Sequence, residues 1–215
     1  MRNRPWSLRQ FQEMFNLVYG DRNQEMYTPA ELLLHIFEET AEIAESLRKE
    51  DHNNVPTAIA HFFGWLVAFC NSQKIDLGGA IFAKYHGACP YCGKVKNCIC
   101  ISAETKPGAW HKNKSARVPD SLSGWQVMFD QIYGRVNRVA GREKSWLHVH
   151  EELGELSRAF RLGQKRFLKD ELADVFAWLI AFCNHLKINL DAVVYAAYPG
   201  KCDVCGKKQC KCPKV

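Results

Sequence analysis

The spacing of apolar residues along the chain sets out one helical pattern twice. In "SLSGWQVMFDQIYG" (121–134), Trp125, Met128, Phe129 and Ile132 recur at the three- and four-residue intervals of a single helical face. Serines lead this segment as N-cap candidates, and Gly134 supplies a stop signal. Trp146, Val149, Leu153, Leu156 and Phe160 keep helical spacing through 145–162. A third helix is predicted over 168–186 and a shorter fourth near 189–198, ending at "YPG". No alternating polar–apolar run competes, so the predicted fold class is all-α.

The first half carries the same pattern. "WLVAFCNSQKIDL" (65–77) returns as "WLIAFCNHLKINL" (178–190) at an offset of 113 residues, and "FQEMFNLVYG" (11–20) as "WQVMFDQIYG" (125–134) at 114. Fixed-offset similarity is the signature of a tandem repeat. It divides the chain into 1–100, a polar, basic linker at 101–120 containing Pro and Gly, and 121–215. Two such antiparallel helical repeats bury their apolar faces against one another.

The candidate chemistry lies where this pattern is broken. From Leu172 to Cys183 every residue except Asp174 is apolar. A helix apolar all round is a buried helix, and a carboxylate inside one must be protonated, paired or bound to metal. Glu171 lies three residues before Asp174, and Glu152 and Glu155 form a second acidic pair at the same spacing. Two helices thus each present a close carboxylate pair. Hard oxygen donors without His or Cys point to Mg²⁺ or Mn²⁺, and Mg²⁺ held this way commonly serves phosphate substrates. On their own, residues 151–155 also read as a solvated acidic face.

Eight of the ten cysteines fall into two clusters: Cys89, Cys92, Cys98 and Cys100, then Cys202, Cys205, Cys210 and Cys212. Each is C-x₂-C, a short basic loop and C-x-C, which closes a four-thiolate shell. Structural Zn²⁺, two per chain, is expected, with iron or an iron–sulfur cluster as the alternative. Cys70 and Cys183 lie in apolar helices and read as core thiols. The apolar share of 47% is ordinary for a globular chain, and the net charge of +6 fits either an anionic ligand or a solvated surface. With no signal-like run at "MRNRPWSLRQ" and no polar-free stretch of spanning length, a cytoplasmic location without membrane association is expected.

"EELGE" (151–155) followed by "ELAD" (171–174) resembles the E-E-x-x-E … E-x-x-D signature of the MazG-like, all-α nucleoside triphosphate pyrophosphohydrolases, and the similarity spans most of 122–198. The resemblance implies Mg²⁺-dependent attack of water on the α-phosphorus of an NTP or dNTP, giving the monophosphate and pyrophosphate. It makes Glu152, Glu155, Glu171 and Asp174 metal ligands. Glu151 becomes an additional ligand, a supporting residue or, with Glu152, the water-activating base. In the first repeat Glu38, Glu39 and Glu42 persist, but Ala58 stands for Glu171 and His61 for Asp174. One active site per chain is therefore expected, in the second repeat. Since the family builds its bundle from two subunits, the fused copies are expected to pack as an intramolecular pseudo-dimer, each ending in a four-cysteine knuckle. Further pairing of pseudo-dimers is left open. Lys84, whose counterpart is Ala197, reads as a contribution of repeat one to the site or as a solvated lysine. Lys144, Arg161, Lys165 and Arg166 are individually weak phosphate contacts, and Trp178 a base-stacking or core residue. The competing function is a non-catalytic module in which knuckle lysines (Lys94, Lys96, Lys207, Lys208, Lys211) and the basic linker bind nucleotide or nucleic acid. The acidic constellation argues against that as the sole role.

Overall fold

The computed structural model describes residues 5–100 and 111–213; linker residues 101–110 lie outside the described residues. The fold is all-α. Among the described residues there are eight helices and no strand: α1 (Leu8–Met26), α2 (Pro29–Arg48), α3 (Asn54–Ser72), α4 (Leu77–Tyr85), α5 (Leu122–Ala140), α6 (Arg142–Arg161), α7 (Lys165–Leu186) and α8 (Leu190–Ala197).

Local chemistry sets several of these ends. Ser7 and Gln10 close a capping box on α1, and Thr28 and Glu31 close another on α2, where Pro29 takes the first turn. Ser121 caps α5 by accepting from the Gly124 N–H. The expected stop at Gly134 does not occur. There the missing side chain leaves room for the Asp130–Arg138 ion pair (2.9 Å), which runs along the helix surface. A Cβ on Gly134 would fall 2.3 Å from Asp130 Oδ1 and 2.8 Å from Arg138 Nη1. The helix ends instead at Gly141, whose φ of +90° lies in the left-handed region.

The chain divides into two compact units, and these cut across the sequence repeats. One unit is Met1–Asp76 with Leu190–Val215, holding α1–α3, α8 and the second cysteine cluster. The other is Leu77–Asn189, holding α4, the first cluster and α5–α7. Each three-helix core thus carries the fourth helix and the knuckle of the other sequence repeat: α8 packs on α3, and α4 packs on α7.

The two units repeat each other's internal contacts. In the first, Gln12 Nε2 donates to Asn71 Oδ1 (3.2 Å) and the Ile75 carbonyl (3.0 Å), while Asn71 Nδ2 donates back to the Gln12 carbonyl (3.1 Å). In the second, Gln126 Nε2 donates to Asn184 Oδ1 and the Ile188 carbonyl, both 2.9 Å, and Asn184 Nδ2 returns to the Gln126 carbonyl (3.2 Å). At the centre of each unit is the apolar third helix. Phe62, Phe63, Leu66 and Phe69 of α3, and Leu172, Phe176, Leu179 and Phe182 of α7, are fully buried, as are Cys70 and Cys183. By length and composition α3 would suffice to cross a membrane, but most of it is buried in the core of its unit.

Candidate active site and cysteine clusters

In the second unit three carboxylates converge. Glu152 and Glu155 project from α6 and Glu171 from the start of α7, with one oxygen of each within 4.8 Å of the others. Glu171 is buried, Glu152 half-buried and Glu155 exposed. Two helical pairs at three-residue spacing, facing each other across a helix–helix contact, produce this grouping. Burial, reinforced by Asp174 and Glu171, raises the Glu152 carboxyl to about 8. Like-charged oxygens held this close need a proton or a cation between them. The donor set, hard oxygens without nitrogen or sulfur, fits Mg²⁺ or Mn²⁺.

Asp174 stands apart from this trio. The Lys84 ammonium bonds Asp174 Oδ2, and the Tyr85 hydroxyl donates to Oδ1 at 2.6 Å. Lys84 also donates to the Asp170 carbonyl (3.3 Å). The pair is buried, with side-chain exposures of 9% for Lys84 and 15% for Asp174. Burial raises the Asp174 carboxyl, opposed by Lys84 and the Tyr85 hydroxyl. For Lys84 burial acts downward, but the Asp174 charge outweighs it and the ammonium is stabilised. The solvated reading of Lys84 is thereby overturned: α4, from the first sequence repeat, carries this lysine into the acidic site of the second.

These groups border a cavity of roughly 280 Å³. Glu152, Asp174 and Lys84 form its polar edge, and Tyr85, Tyr91, Phe129, Tyr133 and Trp178 much of its aromatic wall. Trp178 is half-buried and stacks on His148 (centroids 4.1 Å apart, planes 15° apart). Glu151 does not join the carboxylate trio. Its Oε2 lies 2.5 Å from His148 Nδ1, so its contact is to the ring that backs Trp178. Lys144, Arg161, Lys165 and Arg166 are exposed and do not line the cavity. The residues that sequence reasoning missed are Tyr85, Tyr91, Phe129, Tyr133 and His148. Of these only His148 carried a local signal, its three-residue spacing to Glu151.

Both cysteine clusters are assembled, the four Sγ atoms of each within 4.8 Å of one another. Cys92 and Cys98 Sγ are 3.7 Å apart, Cys202 and Cys212 Sγ 3.8 Å. A tetrahedron with bonds of about 2.3 Å to sulfur has edges of roughly 3.8 Å, so the spacing fits Zn²⁺ and is far too long for a disulfide. Gly93 (φ +71°) and Gly206 (φ +68°) make the tight turns after the second cysteines. Each knuckle is tied to the first helix of the three-helix core it sits on by a 2.7 Å backbone bond, from Cys98 N–H to the Ile132 carbonyl of α5 and from Cys210 N–H to the Val18 carbonyl of α1.

Comparison with protein families adds one match. Residues 141–200 match the MazG nucleotide pyrophosphohydrolase domain. The matched segment takes in α6, α7 and α8, and with them Glu151, Glu152, Glu155, Glu171 and Asp174. It stops short of α4 and both knuckles. The family acts on nucleoside triphosphates and typically uses a divalent metal. Searches of curated proteins and of solved structures returned no match.

Proposed function

We propose that the second unit is a divalent-metal-dependent pyrophosphohydrolase, converting an NTP or dNTP and water to the monophosphate and pyrophosphate at one site per chain. The observation that carries this reading is the meeting of Glu152, Glu155 and Glu171 within the MazG-matched segment, with Glu152 also bordering an aromatic-walled cavity. The trio would hold the cation, whose chemistry there is neutralisation of phosphate charge and a lowered pKa for the attacking water.

The remaining tasks fall to the chain's own side chains. Tyr85, Tyr91, Phe129 and Tyr133 offer flat apolar faces for the base. Trp178 completes that wall, and its ring is set by His148, which Glu151 anchors. Glu151 is therefore a positioning residue in this account, not the base. Glu152 belongs to both the trio and the cavity edge, so its carboxylate is placed to take the proton of the attacking water. Lys84 carries positive charge to the polyphosphate side of the cavity and holds Asp174 in place. The two four-cysteine clusters leave no open coordination position and serve as structural Zn²⁺ sites, two per chain.

The test is a screen of the common NTPs and dNTPs with Mg²⁺, quantifying pyrophosphate. Release that disappears in Glu171→Gln supports the proposal. The knuckle lysines are exposed. Strongly salt-dependent nucleic-acid binding without nucleotide turnover would put the binding-module reading in its place.

A further inference from the structure

The first unit contains its own copy of the cavity, at roughly 360 Å³. Four of the five aromatic wall positions are kept, Phe15 for Phe129, Tyr19 for Tyr133, Trp65 for Trp178 and Tyr198 for Tyr85, while Val204 stands for Tyr91. Trp65 stacks on His35 with centroids 4.2 Å apart, as Trp178 does on His148. What is lost is the phosphate and metal equipment. Ala58 and His61 replace Glu171 and Asp174, and Ala197 replaces Lys84. Arg22 borders the cavity, but its guanidinium is engaged by the carbonyls of Cys212 (3.1 Å) and Pro213 (2.7 Å) and by the Tyr27 hydroxyl (3.3 Å).

One polar group in this cavity is left asking for a partner. Glu39, the counterpart of Glu152, places Oε2 in the interior with no hydrogen-bond partner. The Trp65 indole hydrogen-bonds the same carboxyl, while His61 Nδ1 is 3.8 Å from Oε2, beyond hydrogen-bonding range. A buried carboxylate oxygen left unmatched is costly, and such groups in native folds call for a specific cause. With the counterparts of Glu171, Asp174 and Lys84 gone and the Arg22 N–H groups already turned to backbone carbonyls, the cavity suits a base or nucleoside better than a triphosphate.

We propose that this cavity is a second ligand site, which takes a nucleobase or nucleoside between its aromatic walls, with an N–H edge on Glu39, and binds it without divalent metal and without hydrolysis. A base that sets a ring N–H beside an exocyclic amino group matches a carboxylate best, so guanosine is expected to bind more tightly than adenosine.

The experiment is calorimetric titration of the full chain, zinc-loaded and in buffer without Mg²⁺ or chelator, with guanosine, adenosine, cytidine and uridine. Metal-independent binding of guanosine is expected, weakened at least tenfold by Glu39→Gln and unchanged by Glu152→Gln. Ala68→Leu narrows the same cavity without touching Glu39 and is also expected to remove binding, a second reading should Glu39→Gln fail to fold. Pyrophosphate release by Glu39→Gln measures the other unit separately. The proposal is overturned if none of the four nucleosides binds at millimolar concentration. It is equally overturned if binding survives both first-unit changes or is lost with Glu152→Gln, which would place it in the second unit.

Discussion

Replacing Lys84 with Met tests the exchange of α4 in the most local way available. The substitution keeps the length and apolar stem of the side chain and deletes the charge that faces Asp174. Both groups are buried, so what remains is a carboxylate in the interior without its cation. Breaking a buried pair from one side typically costs about 3–5 kcal/mol. Asp174 keeps the Tyr85 hydroxyl as a donor and is able to take up a proton, which places the expected loss at the low end, about 3 kcal/mol. Asp174→Asn strands the ammonium instead and is expected to cost a similar amount. The double variant leaves neither charge unmatched. A cycle of the four proteins, measured by urea denaturation of the zinc-loaded chain without Mg²⁺, should therefore give a coupling of at least about 2 kcal/mol. Coupling below about 0.5 kcal/mol would mean that Lys84 and Asp174 do not meet in solution, and the placement of α4 in the second unit would fall with it.

Three further outcomes follow from the same geometry. Glu171→Gln should lower pyrophosphate release by at least about 100-fold with the fold intact, whereas Glu151→Gln, whose carboxylate bonds His148, should lower it by about tenfold or less, acting through substrate affinity. Metal analysis should find two Zn²⁺ per chain, and Cys92→Ser, which opens one knuckle, should leave one and lower the melting temperature. The raised Glu152 carboxyl fixes a sign: its folded value of about 8 lies above that of the unfolded chain, so its contribution is fully present below the ordinary carboxylate range and is lost as pH rises toward 8. In the absence of Mg²⁺ the melting temperature should fall between pH 5 and pH 8 more steeply than in Glu152→Gln, and Mg²⁺ should flatten the slope; equal slopes in the two proteins would refute the assignment.

Much of this architecture is written in the order of residues. Apolar spacing marks the helices, and the 113-residue offset marks the duplication. The isolated Asp174 in an otherwise apolar run, with Glu152, Glu155 and Glu171 at three-residue spacing, marks the acidic site. The partner of Asp174 was harder to see. Lys84 lies 90 residues away, and its single signal was an asymmetry, a lysine where the other copy has alanine. Which three-helix core receives α4 and which receives α8 is not legible at all. The two copies are so alike that either fourth helix satisfies either core by apolar pattern alone. Gly134 misled for a different reason: a glycine is read as a stop, but here the space it leaves is occupied by an ion pair. Glu151 shows the limit of motif reading, since a neighbouring histidine one turn away claims its carboxylate.

The most direct test is pyrophosphate release by the intact chain and by Glu171→Gln, with each NTP and dNTP, with and without Mg²⁺. Equimolar monophosphate and pyrophosphate are expected from at least one nucleotide, only with the metal and only with Glu171 present. Release of orthophosphate instead, or turnover that survives Glu171→Gln, would contradict it.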